Sequence, residues 1–157
     1  DPAEARHAAK SILVLSVLTL GCVGVILLFV AEQLAAIFTQ DPIVIGYVTK
    51  FTRAFGFSMP FIGIFFPLAG VLRGAGDTRT PFYARFTGVS VFMLSGSYFL
   101  GVTLGLELLG VYIGIVLSYI CWATVVGLGF THGRWAETAA AMMSKRAETS
   151  DAHEQSE

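Results

Sequence analysis

The sequence predicts an all-α polytopic membrane protein with four transmembrane helices, and three observations carry that prediction. Of 157 residues, 55% are hydrophobic and only 13% charged, with a mean hydropathy of +0.72; a soluble domain carries about 25% charged residues. Residues 11–31, 54–72, 86–106 and 108–133 form uncharged stretches of 21, 19, 21 and 26 positions. Crossing a hydrocarbon core of about 30 Å takes about 20 apolar helical residues, so each stretch is long enough. Proline and glycine turn signals at Asp41-Pro42 and across Gly74–Pro81 punctuate the first three stretches, and Glu107 alone divides the last two. A buried soluble helix is rarely so long and so free of charge. A secretory signal has a shorter apolar region and would leave three stretches unexplained.

The elements follow in order. Asp1-Pro2, Asp41-Pro42 and Thr80-Pro81 each place a capping side chain before a proline. Proline at the first helical position loses no hydrogen bond, because its N–H would be unpaired there. Gly74 and Gly76 supply a stop after Arg73. The expected helices are therefore 2–38, 42–73, 81–103 and 107–132, the first with an amphipathic lead-in holding Arg6 and Lys10 near the membrane surface. Short connections make sequential helices antiparallel. Residues 133–157 read as a polar cytoplasmic tail, partly disordered.

Lys and Arg set the orientation. Arg6, Lys10, Arg73, Arg79, Arg85, Arg134, Lys145 and Arg146 share one side of a four-span chain, against Lys50 and Arg53 on the other. The positive-inside rule then puts both termini and the 73–85 segment in the cytoplasm. Tyr83 and Trp135 read as interfacial anchors on that side, Tyr47 on the other.

Several function classes are excluded. A net charge of −1 offers no basic surface for nucleic acid. Cys22 and Cys121 lie in separate apolar runs with no CxxC pair, and His7, His132 and His153 are far apart, so no metal site is expected. There is no HExxH or GxSxG, and no enzyme activity or cofactor is expected. RGAGDTR (73–79) lacks the lysine of a phosphate loop and no strand precedes it.

The second helix is the unusual element. Gly56, Pro60, Gly63, Pro67 and Gly70 fall within 15 positions, and each proline removes a backbone hydrogen bond, so bends near 56–60 and 63–67 are expected. Bent helices at transporter midplanes line cavities with the freed carbonyls; Gly and Pro are also simply frequent in membrane helices. Lys50, Arg53, Phe57 and Pro60 share a face by helical spacing. That face reads either as a positive cavity entrance or as two side chains snorkelling to the headgroups. Arg53, Phe57, Pro60 and Pro67 are thus the candidates for a cavity or a helix bend. Glu32, off-centre in the first helix, is a weak candidate for ion coupling, and the middle of every span lacks an acid. Gly70/Gly74, Gly101/Gly105 and Gly110/Gly114 are spaced for close helix packing.

Residues 37–82 carry a resemblance. The IFT-x-DP end of one span, the Pro-Phe at 60–61 and above all GVLRGAGDTRTP (70–81) resemble the MATE family of multidrug and toxic compound extrusion transporters. DPAEARHAAK (1–10) resembles the segment entering that family's ninth helix, and GLELLGVYIGIVLSY (105–119) the entry to its last. The resemblance implies helices nine to twelve, part of the second six-helix bundle of a twelve-helix transporter in the plasma membrane. It also implies exchange of Na⁺ or H⁺ for small organic cations by alternating access. On this reading eight N-terminal helices are partners outside the chain, and a start at Asp1 reads as a fragment or processed product. Arg73, Gly74, Gly76, Asp77, Thr78 and Pro81 match a cytoplasmic loop, for which a structural or gating role is expected, with Asp77 paired to Arg73 or Arg79. Some members place an acid in the tenth helix; residues 42–73 contain neither Asp nor Glu. The alternative is a stand-alone four-helix membrane protein, either a small homodimeric exporter or a non-transport scaffold.

Overall fold

The computed structural model describes residues 2–132, with side chains from His7 onward. The tail over 133–157, with Arg134, Trp135, Lys145 and Arg146, and the side chain of Arg6 lie outside the described residues. Helix α1 spans Pro2–Phe38 and α2 spans Pro42–Gly74. Helix α3 spans Arg79–Thr103, and α4 spans Leu108–His132. All four are long and apolar enough to cross a membrane.

The polar turns are built as the capping argument requires, with one displacement. Asp41 caps α2, its Oδ1 accepting from the Ile43 N–H at 2.8 Å with Pro42 behind it. Helix α3, in contrast, begins at Arg79 rather than Pro81, because Asp77 and not Thr80 supplies the capping oxygen. Helix α2 keeps α-helical winding through both Pro60 and Pro67.

The second half of α3 departs from α-helical winding. It is α-helical over Arg79–Thr87, then π-helical over Gly88–Gly96 and Phe99–Thr103. The wider winding shows in i to i−5 partners: Ser95 Oγ donates to Ser90 O at 2.8 Å, and the Leu104 N–H to Phe99 O at 3.1 Å. At the end of α3 the Glu107 N–H reaches back to Gly101 O at 3.0 Å. Glu107 itself sits in the left-handed region at φ 48°.

The helices stand in the spatial order α1, α2, α4, α3. Helices α1 and α2 are antiparallel and cross at Gly24 and Gly56, which face each other directly. A Cβ on Gly56 would come 2.9 Å from Gly24 O, and one on Gly24 would collide with the Gly56 carbonyl. Without a hydrophobic drive inside lipid, such backbone approach is what holds two helices together. On the other side of α2, Phe55 meets Tyr119 edge-on at 6.3 Å and the Tyr112 hydroxyl donates to Tyr47 O at 3.1 Å, so α2 and α4 run parallel. Of the expected glycine pairs, Gly110/Gly114 packs α4 against Gly101 and Ser97 of α3, whereas Gly70 and Gly74 meet nothing within 4 Å.

The core sits at one end. Phe65, Leu68, Leu72, Ala75, Ala84, Trp122, Val126 and Phe130 are buried together with Ala9 of α1. The start of α1, the α2–α3 turn and the end of α4 therefore gather at the same end of the bundle, while Glu32, Asp41 and Glu107 lie towards the other.

Two stability predictions follow from this packing. Gly56→Leu is expected to lower stability by about 1–3 kcal/mol through overpacking. Gly46→Leu, with open space around its site, should be close to neutral; thermal unfolding in detergent compares them. Glu107→Gly should raise stability by up to about 1 kcal/mol, by releasing a left-handed residue with a side chain, in the same assay.

Candidate functional site

The turn between α2 and α3 is one continuous double cap. Helix α2 ends when Gly76 turns to φ 85°, a conformation open to glycine because it has no Cβ. The Gly76 N–H then donates to Arg73 O at 3.0 Å and the Asp77 N–H to Leu72 O at 2.9 Å. These are the paired bonds of a Schellman stop. Asp77 immediately opens the next helix. Its Oδ1 accepts from the Arg79 N–H at 3.1 Å and the Thr80 N–H at 3.0 Å, and its Oδ2 from the Thr80 hydroxyl at 2.6 Å. A single residue thus closes one helix with its N–H and starts another with its carboxylate.

The expected ion pair of Asp77 with Arg73 or Arg79 is replaced by this network. Its carboxylate bonds to Thr80 and the backbone, and Arg73 turns the other way, its Nε donating to Ala69 O at 3.0 Å. Burial pushes the Asp77 carboxyl up, but the bonds from Thr80 and the Arg79 N–H, with the Arg79 charge nearby, outweigh that and hold it below its ordinary value. Thr78 precedes the first turn without a side-chain cap bond, Gly74 is exposed, and Pro81 is buried. Arg73, Gly74, Gly76, Asp77, Thr78 and Pro81 are therefore brought together as a compact joint.

The remaining candidates do not converge on it. Lys50 and Arg53 line a groove of about 380 Å³ between α2 and α4, walled by Ala54, Leu109, Tyr112, Ile113, Val116 and Leu117. Phe57 is exposed and pairs with Phe61 at 6.0 Å rather than entering the groove, and Pro60 is half-buried outside it. Pro67 is half-buried between the core residues Phe65 and Leu68, and Glu32 is exposed on α1. Trp122 has no counterpart among the sequence candidates. It is buried, 5.2 Å from Phe65 and 4.9 Å from Tyr119, with Arg85 stacked over it at 5.3 Å and its indole N–H against Gly88. No local motif marks it, since its neighbours come from three different helices.

The joint gives a pH prediction. A carboxyl held low in the fold contributes stability that is fully present above its unfolded value, near pH 4. That stability is lost as pH falls through the lower folded value. Asp77→Ala should cost about 1 kcal/mol at neutral pH, with the gap to wild type narrowing in acid. Thermal unfolding in detergent at a series of pH values measures both; a gap that persists unchanged in acid would show that the charge is idle.

The chain is similar to known proteins. The MatE family model matches residues 1–99, which include α1, α2 and the whole joint. The probable multidrug resistance protein NorM of Thermotoga maritima is 31% identical over 126 residues, covering 80% of this chain and 27% of that protein. The chain thus spans about a quarter of the length of this curated relative. The crystal structure of the eukaryotic MATE transporter AtDTX14 superposes with a TM-score of 0.82 at 22% identity, over 92% of this chain and 32% of that one. That likeness extends the shared fold to the four-helix arrangement. With the family match running through both antiparallel helices and the double cap that joins α2 to α3, the chain belongs to the MatE family.

Proposed function

We propose that this chain forms helices nine to twelve of a multidrug efflux transporter, which exports small organic cations in exchange for Na⁺ or H⁺ by alternating access. The observation that carries the reading is the family match through the double-capped joint, together with a relative named as a multidrug resistance protein. The rest of the transporter, eight helices ahead of this segment, would complete the cavity. The chemistry is movement of a solute and not bond-making, so the residues serve packing, hinging and access.

The joint has the properties a moving transporter needs at a helix turn. Its Schellman stop and Asp77 cap pair the N–H groups of Gly76, Asp77, Arg79 and Thr80, so α2 and α3 are linked by a stiff turn and shift as a unit. Asp77 and Gly76 are the residues on which that rigidity rests. The orientation follows the positive-inside reading, with the joint and both termini in the cytoplasm. Coupling rests on a carboxylate outside this segment, because α2 contains no acid and Glu32 is exposed towards the far end of α1. The apolar groove under Lys50 and Arg53 opens at that same far end.

Export from cells or inverted vesicles carrying the full-length parent tests the proposal, with ethidium as the probe. Asp77→Ala and Gly76→Leu are each expected to reduce export several-fold while the protein still inserts into the membrane. Pro60→Ala should alter export more than Cys121→Ala. Wild-type export from both joint variants would remove the gating role, and export insensitive to both the Na⁺ and the H⁺ gradient would remove the coupling.

A further inference from the structure

Beside the joint lies a cavity that the transport reading leaves unused. It measures about 200 Å³, lies between the last turns of α2 and the first turns of α3, and is lined by Phe65, Arg73, Thr78, Pro81, Phe82 and Arg85. Both cations are exposed at its mouth, each with one anchoring contact. The Arg73 Nε bond to Ala69 O leaves its two terminal nitrogens unused, and Arg85 is stacked 5.3 Å over the Trp122 ring. The one carboxylate of the turn, Asp77, accepts from Thr80 and from the Arg79 N–H rather than from either arginine of the cavity. The other described acids, Glu32, Asp41 and Glu107, lie towards the opposite end of the bundle. Among the described residues, neither arginine has a carboxylate partner.

We propose that this cavity is a phosphate-binding site, filled by the phosphate of an anionic lipid headgroup or by free phosphate. Two like charges lining one cavity repel each other, and an anion bound there lowers that cost. Guanidinium groups match phosphate oxygens with paired, charge-assisted bonds, and a preorganised fork loses little freedom on binding. Thr78 is the one uncharged polar residue of the lining. Drug-sized ligands occupy about 300–1,000 Å³, so a 200 Å³ cavity suits a headgroup phosphate and not an export substrate. Its level, where two spans meet their connecting turn, is that of the headgroups, and basic pockets between helices bind such lipids.

The test uses the full-length parent, purified and stripped of lipid. Phosphatidylglycerol and phosphatidylcholine are titrated separately by native mass spectrometry. Inorganic phosphate is added in a thermal-shift assay against chloride of equal ionic strength. Phosphatidylglycerol should bind more tightly than phosphatidylcholine, and Arg85→Gln and Arg73→Gln should each weaken it by about tenfold or more. Arg79→Gln, on the same turn but outside the lining, should bind like wild type. Arg85→Lys keeps the charge without the fork and should fall between wild type and Arg85→Gln, which separates recognition from misfolding. Stabilisation of wild type by inorganic phosphate, lost in the glutamine variants and without a phosphatidylglycerol preference, would assign the site to free phosphate. Equal binding of the two lipids together with no phosphate effect would overturn the proposal, meaning that a carboxylate elsewhere in the parent neutralises the arginines. An Arg79→Gln loss as large as that of Arg85→Gln would also overturn it, by reducing the site to diffuse surface charge.

Discussion

Inside a bilayer no water is available to the backbone, so every N–H and C=O must find its partner within the protein. Long helices meet that demand along their length, and at their ends, where the chain reverses at the membrane surface, the last unpaired groups are met by caps or by water. This chain meets it with short side-chain caps and reaching backbone bonds. Asp41 caps α2 from one side, Asp77 closes α2 and opens α3 from the other, and Glu107 reaches back to Gly101 at the last turn. The same constraint is met in α3, where the winding widens to i to i−5 hydrogen bonds through Gly88–Gly96. With that bonding kept, α3 lays Ser97 and Gly101 against Gly114 and Gly110 of α4.

Helix association then has to come from contact and not from exclusion of water. Lipid tails are as apolar as leucine, so surfaces gain from each other only by fitting closely. The Gly24–Gly56 crossing does this for α1 and α2, and the aromatic cluster of Phe65, Tyr119 and Trp122 does it for α2 and α4. Helices α2 and α4 occupy the middle of the row, while α1 and α3 keep large apolar side chains such as Phe29, Phe82 and Phe99 exposed. Faces of that kind suit lipid or further helices of a larger transporter.

The end of the bundle that holds the core also holds the joint and the two cavity arginines. The double cap, the Asp77 carboxylate and two arginines without a carboxylate partner among the described residues thus lie within a few turns of each other. A transport cycle needs stiff connections between moving helices, and a charged end beside them offers a place for the membrane's own anions. The two ideas rest on different side chains: Gly76 and Asp77 for stiffness, Arg73 and Arg85 for the anion.

By itself the sequence determined the number of spans, the polar turns and the family. These depend on local quantities: the length of an uncharged run, an Asp before a Pro, a glycine after the last helical residue, and the contiguous RGAGDT motif. Tertiary structure alone decided which glycines pack. Gly24 and Gly56 are far apart in sequence and carry no paired spacing, whereas the well-spaced Gly70 and Gly74 face open space. It also decided that Asp77 bonds to Thr80 instead of an arginine, because the direction of the first turn of α3 brings those N–H groups to the carboxylate. The π winding of α3 and the burial of Trp122 under Arg85 belong to the same class. Each is a compromise between surfaces of separate helices, and a hydropathy pattern records only which residues avoid water, not which of them meet.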